Sequence, residues 1–151
     1  MVATDTRLHR LDDGCHLVLA FDGPVDPLIA RMHGLNGLLD ECRRSTLTVT
    51  GARGRMRDYI GSHSGGRMLL AGSSVAFDRM WLDACMPGLL DGLDHRLFDV
   101  SAMCEAVRAW NPAAWRARPT WPADPSRDDR VLTCLGRSLA LAAWVRAVVS
   151  R

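Results

Sequence analysis

The chain has 151 residues, 19 basic against 17 acidic side chains, a formal net charge of +2 and 48% hydrophobic residues, the balance of one ordinary domain, 1–151, with room for a core. No window approaches eighteen uninterrupted apolar residues, and Asp5, Arg7, Arg10, Asp12 and Asp13 stud the N-terminus. The sequence therefore speaks against a membrane span and a secretory signal and points to the cytoplasm. All 19 basic residues are arginine, a skew that reflects coding bias more than chemistry, so charge alone makes no case for long duplex nucleic acid.

The apolar run Leu17 to Phe21, between Asp-Asp-Gly and Asp-Gly-Pro, predicts a buried strand. Pro27 starts a helical stripe through Leu28, Met32, Leu35, Leu38, Leu39 and Cys42, either one long helix or two short ones broken near Gly34 and Gly37. Thr48 to His63 predicts a helix with Met56, Tyr59 and Ile60 inward, ended by Gly65 and Gly66. Met68 to Ala71 predicts a core strand. Ser73 and Ser74 then cap a helix from Val75 to Met86, with Phe77, Trp81, Leu82 and Cys85 at helical spacing and Pro87 ending it. Leu97 to Val100 predicts a third strand, and Ser101 caps a helix to about Trp110. A loop rich in Pro and Trp covers 111–128, with Trp110 expected inward and Trp115 and Trp121 expected to cover an edge or a partner. A last helix, apolar nearly all round, runs from about Arg130 to Val149. Strands alternating with helices predict an α/β layer architecture. Five widely spaced cysteines with no C-x-x-C pair argue against a disulfide framework or a zinc site and read as reduced, mostly buried thiols.

Residues Leu69 to Pro112 carry a dense pattern: Gly72, Ser74, Asp78, Arg79, Met86, Pro87, Leu89, Arg96, Asp99, Val100, Ser101, Trp110 and Pro112. In order and spacing it resembles the oligoribonuclease family of 3′ to 5′ exonucleases, with its G-N-S-x-x-x-D-R, M-P-x-L, H-Y-R-x-x-D-V-S and W-x-P. The resemblance extends back through Met32 to Thr46 and forward through Asp129 to Arg146. It implies a ribonuclease H-like α/β layer, shortened here by its opening strands, and a homodimer.

Members of that family hold two Mg²⁺ or Mn²⁺ ions between four carboxylates and use a histidine to activate water. The chain has no D-x-E, and its only glutamates are Glu41 and Glu105. In the register of the resemblance the third carboxylate is Asp78, the general-base histidine becomes Asp129, and the last metal carboxylate becomes Cys134. One surviving ligand would not hold two hard cations, so no metal cofactor is expected. The phosphate end is better kept. The resemblance places a 5′-phosphate on Ser74, Arg96 and Ser101, with His95 where the family has a partner's tyrosine, His33 near the nucleotide, and Leu28 in place of an aromatic wedge.

Each of these residues also has a plainer reading. Ser74 and Ser101 precede helices, where serine ordinarily caps; Asp78 suits a helix's first turn; Arg96 can pair with Asp94 or Asp99. Cys134 next to His33 or His95 would make a thiol nucleophile, whereas within Val131, Leu132, Leu135 and Leu139 it reads as core. The expectation is thus a degenerate, non-hydrolytic family member that binds a phosphate or short 5′-phosphorylated nucleotide. The alternatives are an active enzyme, either completed by a partner chain or repurposed, and a structural dimerisation module.

Overall fold

In the computed structural model of the chain, residues 1–128 and 130–150 are described. The architecture is mixed α/β. Among the described residues, seven helices, α1 (Pro27–Gly34), α2 (Leu38–Arg44), α3 (Val49–Ser62), α4 (Val75–Cys85), α5 (Val100–Trp110), α6 (Pro112–Arg116) and α7 (Val131–Val149), accompany two strands, β1 (Leu70–Gly72) and β2 (Leu97–Asp99). The strands pair in parallel, with Leu70 opposite Leu97 and Gly72 opposite Asp99. Parallel neighbours need a crossover, and α4 supplies it.

Local chemistry sets most element ends. Asp26 accepts from the Leu28 N–H at 2.8 Å and Pro27 opens α1. The stripe predicted over 28–42 is two helices, because Gly37 takes a left-handed φ of 74° between them. Thr48 caps α3 through the Gly51 N–H. The segment predicted as a strand at 17–21 is not one. Its hydrogen bonds go to the turn between α2 and α3 instead: Ala20 N–H to Leu47 C=O at 2.8 Å, Phe21 N–H to Cys42 C=O at 3.1 Å, and Ser45 Oγ to Val18 C=O at 2.6 Å. The expected loop at 111–128 opens with a helix, α6, capped by Asn111 and started by Pro112.

The core forms two clusters on either side of the sheet. Ala52, Leu82, Met86, Leu89 and Leu90 make the first, with Leu17, Leu19 and Leu70 packed on it. Val100, Cys104, Val107, Ala142 and Val145 make the second, with Phe98, Trp115 and Trp144 around it. An N-terminal hairpin with a Thr4–Arg10 bridge spans both. Leu8 joins the second cluster, while the Tyr59 hydroxyl on α3 accepts from the Ala3 N–H and donates to Asp12, each at 2.7 Å.

Several apolar expectations fail in the same way. Phe77, Trp81 and Cys85 recur at helical spacing, yet only Leu82 of that stripe is buried; Phe77 is 75% exposed and Trp81 48%. Trp110, expected inward, is 84% exposed. Of the cysteines only Cys104 is buried; Cys15 and Cys42 are half-buried, and Cys85 and Cys134 are exposed. Helix α7 is by length and composition apolar enough to cross a membrane, and 11% of that stretch is buried. Its Ala142 and Val145 lie in the second cluster, with Leu141, Trp144 and Val148 beside them.

Candidate functional site

The in-register pairing of Gly72 with Asp99 ends both strands at one level, so the turns leaving them meet. Asp99 organises the meeting. Its Oδ1 accepts from Ser101 N–H at 2.9 Å, from Ala102 N–H at 3.3 Å and, across the sheet, from Ser74 N–H at 3.1 Å. Ser74 is held in the left-handed region, φ 54° and ψ 37°, a conformation that costs a side-chain-bearing residue about 1–2 kcal/mol. The held geometry brings Ser74 Oγ to 3.3 Å from Ser101 Oγ. Beside it, Ser73 Oγ and Ser138 Oγ lie 2.8 Å apart, tying the same turn to α7. Two hydroxyls thus stand together outside the carboxyl ends of two parallel strands, the usual place for a ligand in an open α/β sheet.

Neither serine is the helix cap that its position suggests. Asp99 is the N-cap of α5, and Ser74, at the N-cap position of α4, makes no capping bond with its side chain. The sequence placed Asp99 in the family pattern and offered it as a partner of Arg96, not as the cap of α5. An acid two residues ahead of the first N–H groups of a helix is the available signal.

The other expected site residues lie elsewhere. Arg96 and His95 stand before β2, at its opposite end from Ser101. They surround Asp94, which receives Arg67 Nε at 2.7 Å and the Arg96 N–H at 2.9 Å, with His95 Nδ1 at 3.5 Å and Arg96 Nη1 at 3.6 Å. The hydrogen bond from Arg67, then that from the Arg96 backbone, holds the Asp94 carboxyl at about 2. Arg96 makes no hydrogen bond to either serine among the described residues.

His33 belongs to a third group. Asn36 Nδ2 lies 3.1 Å from His33 Nδ1 and donates to Asp128 C=O at 2.9 Å. Arg130 binds Glu41 at 2.6 Å, and Arg137 binds Asp128. Arg130 draws the Glu41 carboxyl below its usual range, and the Asp124 N–H followed by Arg137 does the same for Asp128. These contacts fix the approach to α7 and leave His33 remote from the serine pair in its hydrogen bonding.

Asp78 is exposed in the first turn of α4 and makes no hydrogen bond or ion pair among the described residues. Asp129 lies outside the described residues. Cys134 sits one turn before Ser138 on the same face of α7 and is exposed, as are Val131 and Leu132, so the expected burial among apolar neighbours does not hold. Among the described residues no three His, Cys, Asp or Glu side chains gather where a metal ion could be held. The donor set among the described residues does not fit a pair of oxygen-seeking divalent cations.

Two open cavities flank the loop before α7. One, of about 410 Å³, is lined by Ser101, Glu105, Arg118, Trp121 and Leu141 among others; the other, of about 370 Å³, by Trp121, Leu132 and Arg137 among others. Sequence reading gave Arg118 no place.

No family model matches the chain. Among curated proteins it is similar to oligoribonucleases of Nocardia farcinica (37% identical over 124 residues, 78% of this chain and 57% of the relative) and Mycobacterium tuberculosis strain H37Ra (35% over 125 residues, 78% and 58%). A similar relative in Tropheryma whipplei is 32% identical over 123 residues, 79% of this chain and 66% of that protein. The chain therefore spans less than two thirds of the length of these relatives.

Proposed function

From the chain's relationship to the oligoribonuclease family, we propose that it binds the 5′-phosphate of a short oligonucleotide on Ser74 and Ser101 and does not hydrolyse it. The observation that carries the reading is the Ser74–Ser101 pair. One carboxylate, Asp99, spends three backbone N–H groups and a left-handed residue on bringing two hydroxyls together, although neither hydroxyl is needed to cap a helix. Hydroxyls donate short, strong bonds to phosphate oxygens. Against hydrolysis stands the donor set: among the described residues no three His, Cys, Asp or Glu side chains gather at Asp78, and residue 134 is a thiol.

For the phosphate's cation we propose Arg96 on the family resemblance alone, since it stands at the other end of β2 from Ser101. It is well exposed, and its contact to Asp94 is long, while Arg67 keeps Asp94 neutralised at 2.7 Å. We further propose the family's ribonuclease H-like layer for the missing sheet context and a homodimer. The outward row of Phe77, Met80 and Trp81 on α4, 75%, 69% and 48% exposed, supports a covered face.

The test is a titration with 5′-phosphorylated and unphosphorylated dinucleotides, with and without Mn²⁺, while mononucleotide release is followed in the same samples. Phosphate-dependent binding, indifferent to metal and weakened about tenfold in Ser74→Ala and Ser101→Ala, is expected, since each charge-assisted bond is worth about 1.5 kcal/mol. Mononucleotide release abolished in Asp78→Ala would replace this reading with an active exonuclease. Binding that ignores the phosphate would end it.

A further inference from the structure

We propose that Trp121 is the platform on which a nucleobase stacks when the serine pair holds the phosphate, an inference that rests on the function proposed above. Trp121 is the residue common to both cavities, and it is 41% exposed. Proline on both sides of the Thr120–Trp121 pair, Pro119 and Pro122, restricts the backbone that presents it. An indole so held offers a large flat surface at low entropic cost.

The larger cavity is lined by that indole and by Ser101, whose Oγ pairs with Ser74. Leu141, Glu105 and Arg118 line it too, and the Arg118 guanidinium sits 4.2 Å from the centroid of Trp115. A guanidinium over one indole and a second exposed indole lining the same cavity of about 410 Å³ are two π-compatible surfaces for a planar heterocycle. Arg137, which binds Asp128, lies 5.7 Å from the Trp121 ring. The other strongly exposed loop-side tryptophan, Trp110, borders neither cavity. What separates Trp121 from Trp110 is that it lines one cavity together with Ser101.

Stacking of this kind is tolerant of base identity, because every base has a π-face, and removing the aromatic partner costs about five- to a hundredfold in affinity. The experiment titrates the full chain with a 5′-phosphorylated dinucleotide, its unphosphorylated counterpart and inorganic phosphate, read by calorimetry and by intrinsic tryptophan fluorescence. Variants are Trp121→Leu, Trp121→Phe and, as a control, Trp110→Leu, each first shown to melt as the parent does. The dinucleotide should quench the parent; Trp121→Leu should lose the quench and bind about tenfold more weakly. Trp121→Phe should recover most of the affinity, while inorganic phosphate should bind parent and Trp121→Leu alike. Dinucleotide binding unchanged in Trp121→Leu, with its phosphate dependence intact, would overturn the stacking platform and leave the phosphate site standing. Absence of phosphate-dependent binding by the parent chain would remove both.

Discussion

Replacing Asp99 with alanine separates the structural and ligand-binding parts of the serine site. Its Oδ1 receives the Ser101 and Ala102 N–H groups as the cap of α5 and the Ser74 N–H across the sheet. Loss of a helix cap costs about 1 kcal/mol. Loss of a hydrogen bond to a charged acceptor adds about 1.5 kcal/mol. The sum, about 2.5 kcal/mol, is an upper figure, because Ser74 can then relax from its left-handed conformation and recover part of the roughly 1–2 kcal/mol stored there. In a chain of 151 residues about 2.5 kcal/mol lowers Tm by roughly 5–10 °C. Ser101→Ala removes no cap and should lower Tm by about 2 °C or less. Thermal unfolding followed by circular dichroism measures both. A Ser101→Ala loss equal to that of Asp99→Ala would make the serine the cap after all and refute the reasoning. So would an Asp99→Ala melting curve indistinguishable from the parent's.

Ser74→Gly should match or exceed the parent's stability by about 0.5–1 kcal/mol, since glycine adopts φ > 0 without strain, while losing phosphate-dependent binding; denaturant midpoints and titration read the two effects. Met86, 2% exposed in the first core cluster, should cost about 2–5 kcal/mol when replaced by alanine, measured by urea unfolding. Asp94 has a carboxyl lowered from 3.8 to about 2 by Arg67 and the Arg96 N–H, so its contribution to stability is present above pH ~4 and lost as pH falls through ~2. Arg67→Ala should return its titration toward the ordinary carboxylate range in an NMR pH series; an unchanged midpoint would show that Arg67 is not the cause. Tyr59→Phe removes the acceptor of the Ala3 N–H and the donor to Asp12, and should raise amide exchange across the N-terminal hairpin without altering that of α5.

Helix existence was legible wherever cap chemistry and apolar period agree, as at Asp26–Pro27, Thr48 and the β1–α4–β2 unit. The two-helix alternative over 28–42 was legible in Gly37 alone. What periodicity could not convey was which side of a helix the rest of the molecule covers. Phe77 and Trp81 fall on the same spacing as Leu82, yet only Leu82 meets α3 and the turn after α4. The strand expected at 17–21 has the right composition, but its bonding partners are a turn 25 residues away, which no local pattern encodes. At the site, Ser74 and Ser101, singled out from the resemblance, lie side by side, whereas the cap role belonged to Asp99. A left-handed serine is invisible in sequence because the conformation is imposed by a carboxylate on another strand.

The position of Arg96 decides whether the serine pair can hold a doubly charged phosphate. Its long contact to Asp94 is the weaker of that carboxylate's two arginine contacts, 3.6 Å against 2.7 Å from Arg67. An exposed ion pair of this kind is worth about 0–1 kcal/mol, and withdrawing Arg96 leaves Asp94 with Arg67 and the Arg96 N–H. A guanidinium on phosphate forms a fork of charge-assisted bonds, each roughly twice a neutral one. The exchange favours phosphate on condition that the Arg96 side chain spans the length of β2, which separates it from Ser101. Arg96→Ala should weaken 5′-phosphorylated dinucleotide binding about tenfold or more and flatten its salt dependence, with little change in Tm. Unaltered affinity and salt slope would mean that Arg96 stays with Asp94 and that the two hydroxyls alone hold the anion.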